Sequence, residues 1–160
     1  MVVLPYLRYR HYQDVRWGAS HQGAVIAMPP KGISFEVDHG AFGKWAVVHV
    51  AGDLDWTRSA ALRVTVERLW ESLAGGTLIL ALASMTFCDS SGISQMITAF
   101  RGCQERNIRM ALAAPPAFLR RMLTTTGLHQ LFEVHDTLEQ ALASVKGRDS
   151  DADTASAPSA

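Results

Sequence analysis

The sequence predicts an α/β domain with a mostly parallel sheet, and three observations carry that expectation. Strand-like and helix-like stretches alternate from about residue 33 to 146, the pattern of strand–helix–strand units joined by right-handed crossovers. The run Thr77-Leu78-Ile79-Leu80-Ala81-Leu82 shows no polar alternation, which marks a strand covered on both faces by helices. The first two strand patterns are joined by a short Gly-containing stretch, so they pair as an antiparallel hairpin ahead of the parallel part.

Ile33-Ser34-Phe35-Glu36-Val37 alternates as a strand. His39-Gly40-Ala41-Phe42-Gly43 is a turn, and Trp45-Ala46-Val47-Val48-His49-Val50 is the second strand. Gly52-Asp53-Leu54-Asp55 breaks that strand, and Asp55 or Thr57 caps the first helix. In it, Leu62, Val66, Leu69 and Leu73 recur at helical spacing, so an amphipathic helix runs up to Gly75-Gly76. After the buried strand at 77–82, Ile93, Met96, Ile97 and Phe100 mark one face of a second helix, which Asn107 ends. Met110-Ala111-Leu112-Ala113 is a short strand stopped by Pro115-Pro116. Phe118, Leu119, Met122 and Leu123 form a third helix that ends near Gly127, Leu131 to Val134 is a last strand, and Leu138, Leu142 and Val145 mark a last helix.

The flanks differ in composition. Residues 1–31 carry Arg8, Arg10, Arg16 and Lys31 against Asp14, without periodicity, and close in the breaker cluster Met28-Pro29-Pro30-Lys31-Gly32. They read as a flexible N-terminal arm or an over-extended start, with Met28 as the alternative start. Residues 32–146 form the domain. Residues 147–160 hold no large apolar side chain, so they read as a disordered tail.

Bulk properties exclude several classes of function. The 160 residues suit one domain, and 48% hydrophobic with 19% charged residues suits a globular chain. A formal net charge of zero removes the electrostatic case for nucleic acid or an anionic membrane as partner. No apolar run is long enough to span a bilayer, and Met1 to Leu4 is too short for a signal core, so the expected location is the cytoplasm. Cys88 and Cys103 make no CxxC pair and no metal-ligand spacing with histidine. They read as buried free thiols, and neither a metal nor a cofactor is expected.

The chemistry concentrates at Asp89-Ser90-Ser91-Gly92, between a buried strand and a helix. In open α/β sheets such turns are where ligands gather. Free N–H groups and the positive end of the helix dipole accommodate a new anion there. A phosphate on Ser91 would add about two negative charges beside Asp89 without melting the helix. The competing reading is a plain capping turn. A small serine hydrolase is the remote alternative: Cys88 or Asp89 stands where a nucleophile elbow needs its first glycine, and His129 or His135 would have to serve as base.

The run Met85-Thr86-Phe87-Cys88-Asp89-Ser90-Ser91-Gly92-Ile93 resembles the signature of the STAS domain of bacterial anti-sigma factor antagonists. Gly52-Asp53-Leu54-Asp55 resembles the family's Gly-Glu-Leu-Asp element, with Asp53 in place of the glutamate. Thr124-Thr125-Thr126-Gly127-Leu128 to Leu131-Phe132 resembles its Thr-Gly-Leu…Leu-Phe element. The resemblance covers about residues 33–146. It implies a mixed sheet of 4–5 strands with about 4 helices packed mainly on one side, and no catalytic activity. It implies Ser91 as acceptor for an anti-sigma factor with serine kinase activity and a GHKL-type ATPase fold. Asp89, Ser90 and Gly92 would support that site, Gly52, Asp53, Asp55, Thr57, Ser94 and Gln95 would dock the partner, and a phosphoserine phosphatase would reset it. Two departures stand out. Ala81-Leu82-Ala83 replaces an Asp-Leu-Ser, which implies a carboxylate lost near the site, and Ser94 and Gln95 make the helix start more polar. A scaffold or sensor-complex module in which Ser91 is never modified is the alternative within the same family.

Overall fold

The computed structural model describes residues 7–11, 33–40 and 44–154. The remainder of 1–32, the turn at 41–43 and residues 155–160 lie outside the described residues, so the flexible arm and the alternative start at Met28 fall largely there. The strands are β1 (Leu7–His11), β2 (Ser34–His39), β3 (Trp45–Leu54), β4 (Thr77–Ala81), β5 (Met85–Cys88), β6 (Arg109–Ala113) and β7 (Glu133–His135). The helices are α1 (Ser59–Glu67), α2 (Ser90–Gln104), α3 (Ala117–Thr125) and α4 (Leu138–Thr154). One sheet runs in the order β1-β2-β3-β4-β6-β7, and β5 pairs β3 beside it. The β2–β3 pair is the expected antiparallel hairpin, with Phe35 opposite Val50 and Val37 opposite Val48, and the other pairings are parallel.

The period-2 alternation of the strands sorts side chains onto two faces. Leu78 and Leu80 of β4 face one core with Leu62 and Val66 of α1, Met96 and Phe100 of α2, and Leu119 and Leu123 of α3. Phe100 meets Phe132 edge to face, with centroids 5.4 Å apart. Ile79 of β4 faces the opposite side, where Ala141, Leu142 and Val145 of α4 cover Trp45, Val47 and Ala113. β4 is buried at every position, as its unbroken apolar run requires.

The seven described strands exceed the four or five expected. Met-Thr-Phe-Cys of β5 is short, and its burial runs buried, exposed, exposed, buried, which matches no period. β1 falls in the expected arm. Its parallel pairing with β2, Leu7 opposite Phe35 through His11 opposite His39, rests on main-chain hydrogen bonds that need no apolar pattern. β3 also runs further than expected. β3 leaves β4 after His49 and pairs β5 from Gly52, which adopts φ 97°, with a register shift between Gly52 and Asp53. The glycine's positive φ therefore bends the strand without stopping it, and the extra residue of the irregular pairing, Thr86, lies on β5.

Helix limits differ in two places. Leu69 and Leu73 are buried as expected, but α1 ends at Glu67 and the chain continues in tight turns, Leu69 N–H to Val66 C=O among them. At the other end, α4 continues past residue 147 to Thr154, where a disordered tail was expected. Extending an existing helix fixes one residue per hydrogen bond gained, so polar residues continue from the nucleus built by Leu138–Val145.

Candidate functional site

The C-terminal ends of β3 and β5 and the start of α2 meet at Asp89. This residue is extended (φ −99°, ψ −175°), and its Oδ1 accepts the backbone N–H of Ser91 at 2.9 Å and of Gly92 at 3.0 Å. Two free donors of the helix start are thereby satisfied. Its Oδ2 accepts the backbone N–H of Trp56 at 3.0 Å. One carboxylate thus ties the mouth of α2 to the β3–α1 loop.

Close packing holds this junction. A Cβ at Gly92 would lie 2.6 Å from the Leu54 carbonyl oxygen and 2.7 Å from Cys88 Sγ, so α2 seats over the end of β3 only with glycine there. Cys88 is buried below, and its thiol is pushed up to about 11 by burial, with the Asp89 charge adding to the shift. It is a packing group, not a nucleophile.

The β3–α1 loop is an Asx turn. Asp55 Oδ1 accepts from Thr57 Oγ1 at 2.6 Å, Thr57 N at 3.0 Å and Arg58 N at 3.1 Å. Its Oδ2 meets the Arg58 guanidinium at 2.5 Å. The Thr57 hydroxyl, with Arg58, holds the Asp55 carboxyl below its ordinary value. Asp53 Oδ1 accepts from Thr86 Oγ1 at 2.6 Å, which locks β3 to β5 at the irregular pairing beside Gly52.

Ser90 is exposed and Ser91 half-buried in the first turn of α2. Ser91, Ser94 and Gln95 share one helix face by spacing. Ser94 is exposed, and Gln95 keeps a buried Oε1 that has no hydrogen-bond partner among the described residues. Among those residues no group of three or more His, Cys, Asp or Glu is placed to hold a metal ion. No helix among them is long and apolar enough to cross a membrane.

With this geometry, a family model described as the STAS domain matches residues 33–141. The chain belongs to the STAS domain family. An anti-sigma F factor antagonist of Paenibacillus polymyxa is 22% identical over 100 residues, covering 62% of this chain and 86% of that protein. The crystal structure of an anti-sigma factor antagonist from Mycobacterium paratuberculosis matches with a TM-score of 0.60 at 24% identity, over 73% of this chain and 97% of that one. The Bacillus cell fate determinant SpoIIAA in its phosphorylated form matches with a TM-score of 0.56 at 21% identity, over 70% and 99%. These structures share the fold.

In this STAS domain, Gly52, Asp53, Asp55 and Thr57 lie on the β3 end and its loop, across Asp89 from Ser90, Ser91, Gly92, Ser94 and Gln95 on α2. Two residues at the same rim were not foreseen. Trp56 is 75% exposed and Phe87 49% exposed. The available signal for Trp56 was a large aromatic between the turn residues Asp55 and Thr57.

The implied loss of a carboxylate near the site at Ala81 is corrected by the fold. Ala81 lies on the face covered by α4, while α2 packs on the other. With Glu36 and His49 it lines a cavity of about 210 Å³. The missing carboxylate therefore belongs to the far side of the sheet, because position 81 alternates away from Leu80 and Leu82. The histidines named for a hydrolase are elsewhere too: His135 Nε2 pairs with Glu133 Oε1 at 2.8 Å on β7, and His129 is exposed on a 3-10 turn.

Proposed function

We propose that this chain is an anti-sigma factor antagonist, active in the cytoplasm and switched off by phosphorylation of Ser91. The partner is an anti-sigma factor with serine kinase activity, of the GHKL-type ATPase fold, and a phosphoserine phosphatase reverses the modification. The observation that carries this reading is Ser91 on the first turn of α2, beside the capping carboxylate of Asp89 and across from the ordered β3–α1 loop. Relatives with this fold include anti-sigma factor antagonists, and SpoIIAA among them is known in a phosphorylated form.

The physics supports a switch at this position. The positive end of the α2 dipole stabilises an added anion within the first turn. The N–H groups of Ser91 and Gly92 already serve Asp89, so a phosphate on Ser91 faces a neighbouring carboxylate as well as the helix. Two added charges on the rim oppose a partner surface that matches the unmodified serine.

The test is binding and phosphate transfer with each anti-sigma factor of the source genome expressed singly. Wild type takes one phosphate on Ser91 from one of them in the presence of ATP, located by peptide mass spectrometry. Ser91→Ala binds the same protein and takes none, while Ser91→Asp binds at least tenfold more weakly, about 1.4 kcal/mol. Equal binding of the alanine and aspartate forms overturns the switch.

A further inference from the structure

Trp56 is the most exposed of the large apolar side chains among the described residues, at 75%, and Phe87 comes next at 49%. Neither contributes to the core. Both border Asp89: Phe87 precedes it by two residues on β5, and the Trp56 N–H is bonded to its Oδ2 at 3.0 Å.

The turn that carries Trp56 is held from both ends. Asp55 accepts hydrogen bonds from Thr57 and Arg58 on the C-terminal side and pairs with the Arg58 guanidinium. Asp89 holds the Trp56 amide itself. An indole presented on an ordered turn loses little further backbone freedom when it is covered. Tryptophan is also the residue type most enriched among interface positions that dominate affinity.

We propose that Trp56, assisted by Phe87, is the principal anchor for the anti-sigma factor that acts on Ser91. This rests on the functional reading above and goes beyond it, because Trp56 lies just past the Gly52–Asp55 element and the resemblance gives neither Trp56 nor Phe87 a role in docking. The occupant is set by geometry. A stable interface covers about 800 Å² on each partner. A protein that brings an active site onto Ser91 must cover Asp89, which caps the Ser91 N–H, and with it the Trp56 turn bonded to the same carboxylate. The aromatic pair supplies apolar burial, and the state of Ser91 decides whether the charge at its edge permits it. Partner choice is set by Trp56, and regulation by Ser91.

The experiment measures affinity of wild type, Trp56→Ala, Trp56→Phe, Phe87→Ala and Ser91→Asp for the anti-sigma factor that binds wild type. Trp56→Ala is expected to weaken binding about 30-fold, in the range of interface hot spots. Trp56→Phe should recover most of that loss, Phe87→Ala should weaken binding several-fold, and Ser91→Asp should bind at least tenfold more weakly. Urea denaturation should give Trp56→Ala the wild-type midpoint, because the side chain is outside the core. Wild-type affinity of Trp56→Ala, with Ser91→Asp still impaired, overturns the anchor and leaves the functional reading standing. A wild-type dimer that Trp56→Ala dissociates in sedimentation, without change in anti-sigma factor binding, also overturns it in favour of a second copy. Failure of wild type to bind any anti-sigma factor removes the functional reading and this inference together.

Discussion

The backbone N–H of Trp56 donates to Oδ2 of Asp89 at 3.0 Å, while Oδ1 of the same carboxylate caps the start of α2. A helix cap and a loop anchor are therefore one group. The order of the loop depends on a residue that local sequence pattern assigns to the helix alone.

Separating these two roles gives the first prediction. Asp89→Ala loses both and should destabilise the domain by about 1–2 kcal/mol, the range for a lost N-cap. Asp89→Ser keeps a capping oxygen but has no second oxygen for Trp56. It should retain most of the stability while the Trp56 amide exchanges faster with solvent. Unchanged exchange at Trp56 in Asp89→Ser, read by hydrogen-exchange NMR, would show that the loop is held by the Asx turn alone.

Gly92 tests the packing of α2 on β3. Gly92→Ala forces a Cβ to within 2.6 Å of a backbone oxygen that cannot rotate away. The expected cost is about 2–3 kcal/mol, as for overpacked sites, against the small gain alanine brings inside an unobstructed helix. Urea denaturation decides the sign: a midpoint at or above that of wild type would refute the close approach.

The two cysteines should be inert in the folded protein. Cys88 and Cys103 are buried, and burial raises both thiols, Cys88 to about 11. At pH 8 the thiolate fraction of Cys88 is then roughly one in a thousand. Iodoacetamide should label neither residue without denaturant and both with it. Fast labelling of Cys88 under native conditions would place it in solvent.

Glu133 links stability to pH. Burial opposes its ionisation, but hydrogen bonds from Arg109 and His135 outweigh that and hold its pKa below the usual 4.5. Arg109 Nε donates to Oε2 at 2.6 Å, and the pair joins β6 to β7. A depressed carboxyl pKa stabilises the fold above the unfolded value and loses that contribution as pH falls through the folded value. Glu133→Gln should therefore cost about 1–2 kcal/mol at pH 7, as for a charged hydrogen bond at a partly exposed site, and progressively less as pH falls through the lowered folded value. Parallel stability profiles of wild type and Glu133→Gln across that acidic range would contradict this.

Periodicity and turn chemistry determined much of this protein locally. The unbroken apolar run at 78–82 specified a strand buried on both faces, because it leaves no polar side chain for a solvent face, and β4 is buried throughout. The spacing of Ile93, Met96 and Phe100 specified the inner face of α2, since a 3.6-residue repeat returns the same side to the core. Asp89 before Ser90-Ser91-Gly92 specified the helix start. Tertiary structure alone decided which segments pair. β5 exists because β3 runs on through Gly52 and offers it a pairing edge beyond β4, and β1 because β2 offers an edge of main-chain donors and acceptors. Neither leaves a mark in side-chain pattern. It also decided that position 81 faces away from the site, and that Ser91 and the exposed indole of Trp56 share one rim. A one-dimensional pattern records which side of its own element a residue occupies. Which elements meet is set by packing and by hydrogen bonds between segments, here the bonds from Ser91 and Trp56, 35 positions apart, to the single carboxylate of Asp89.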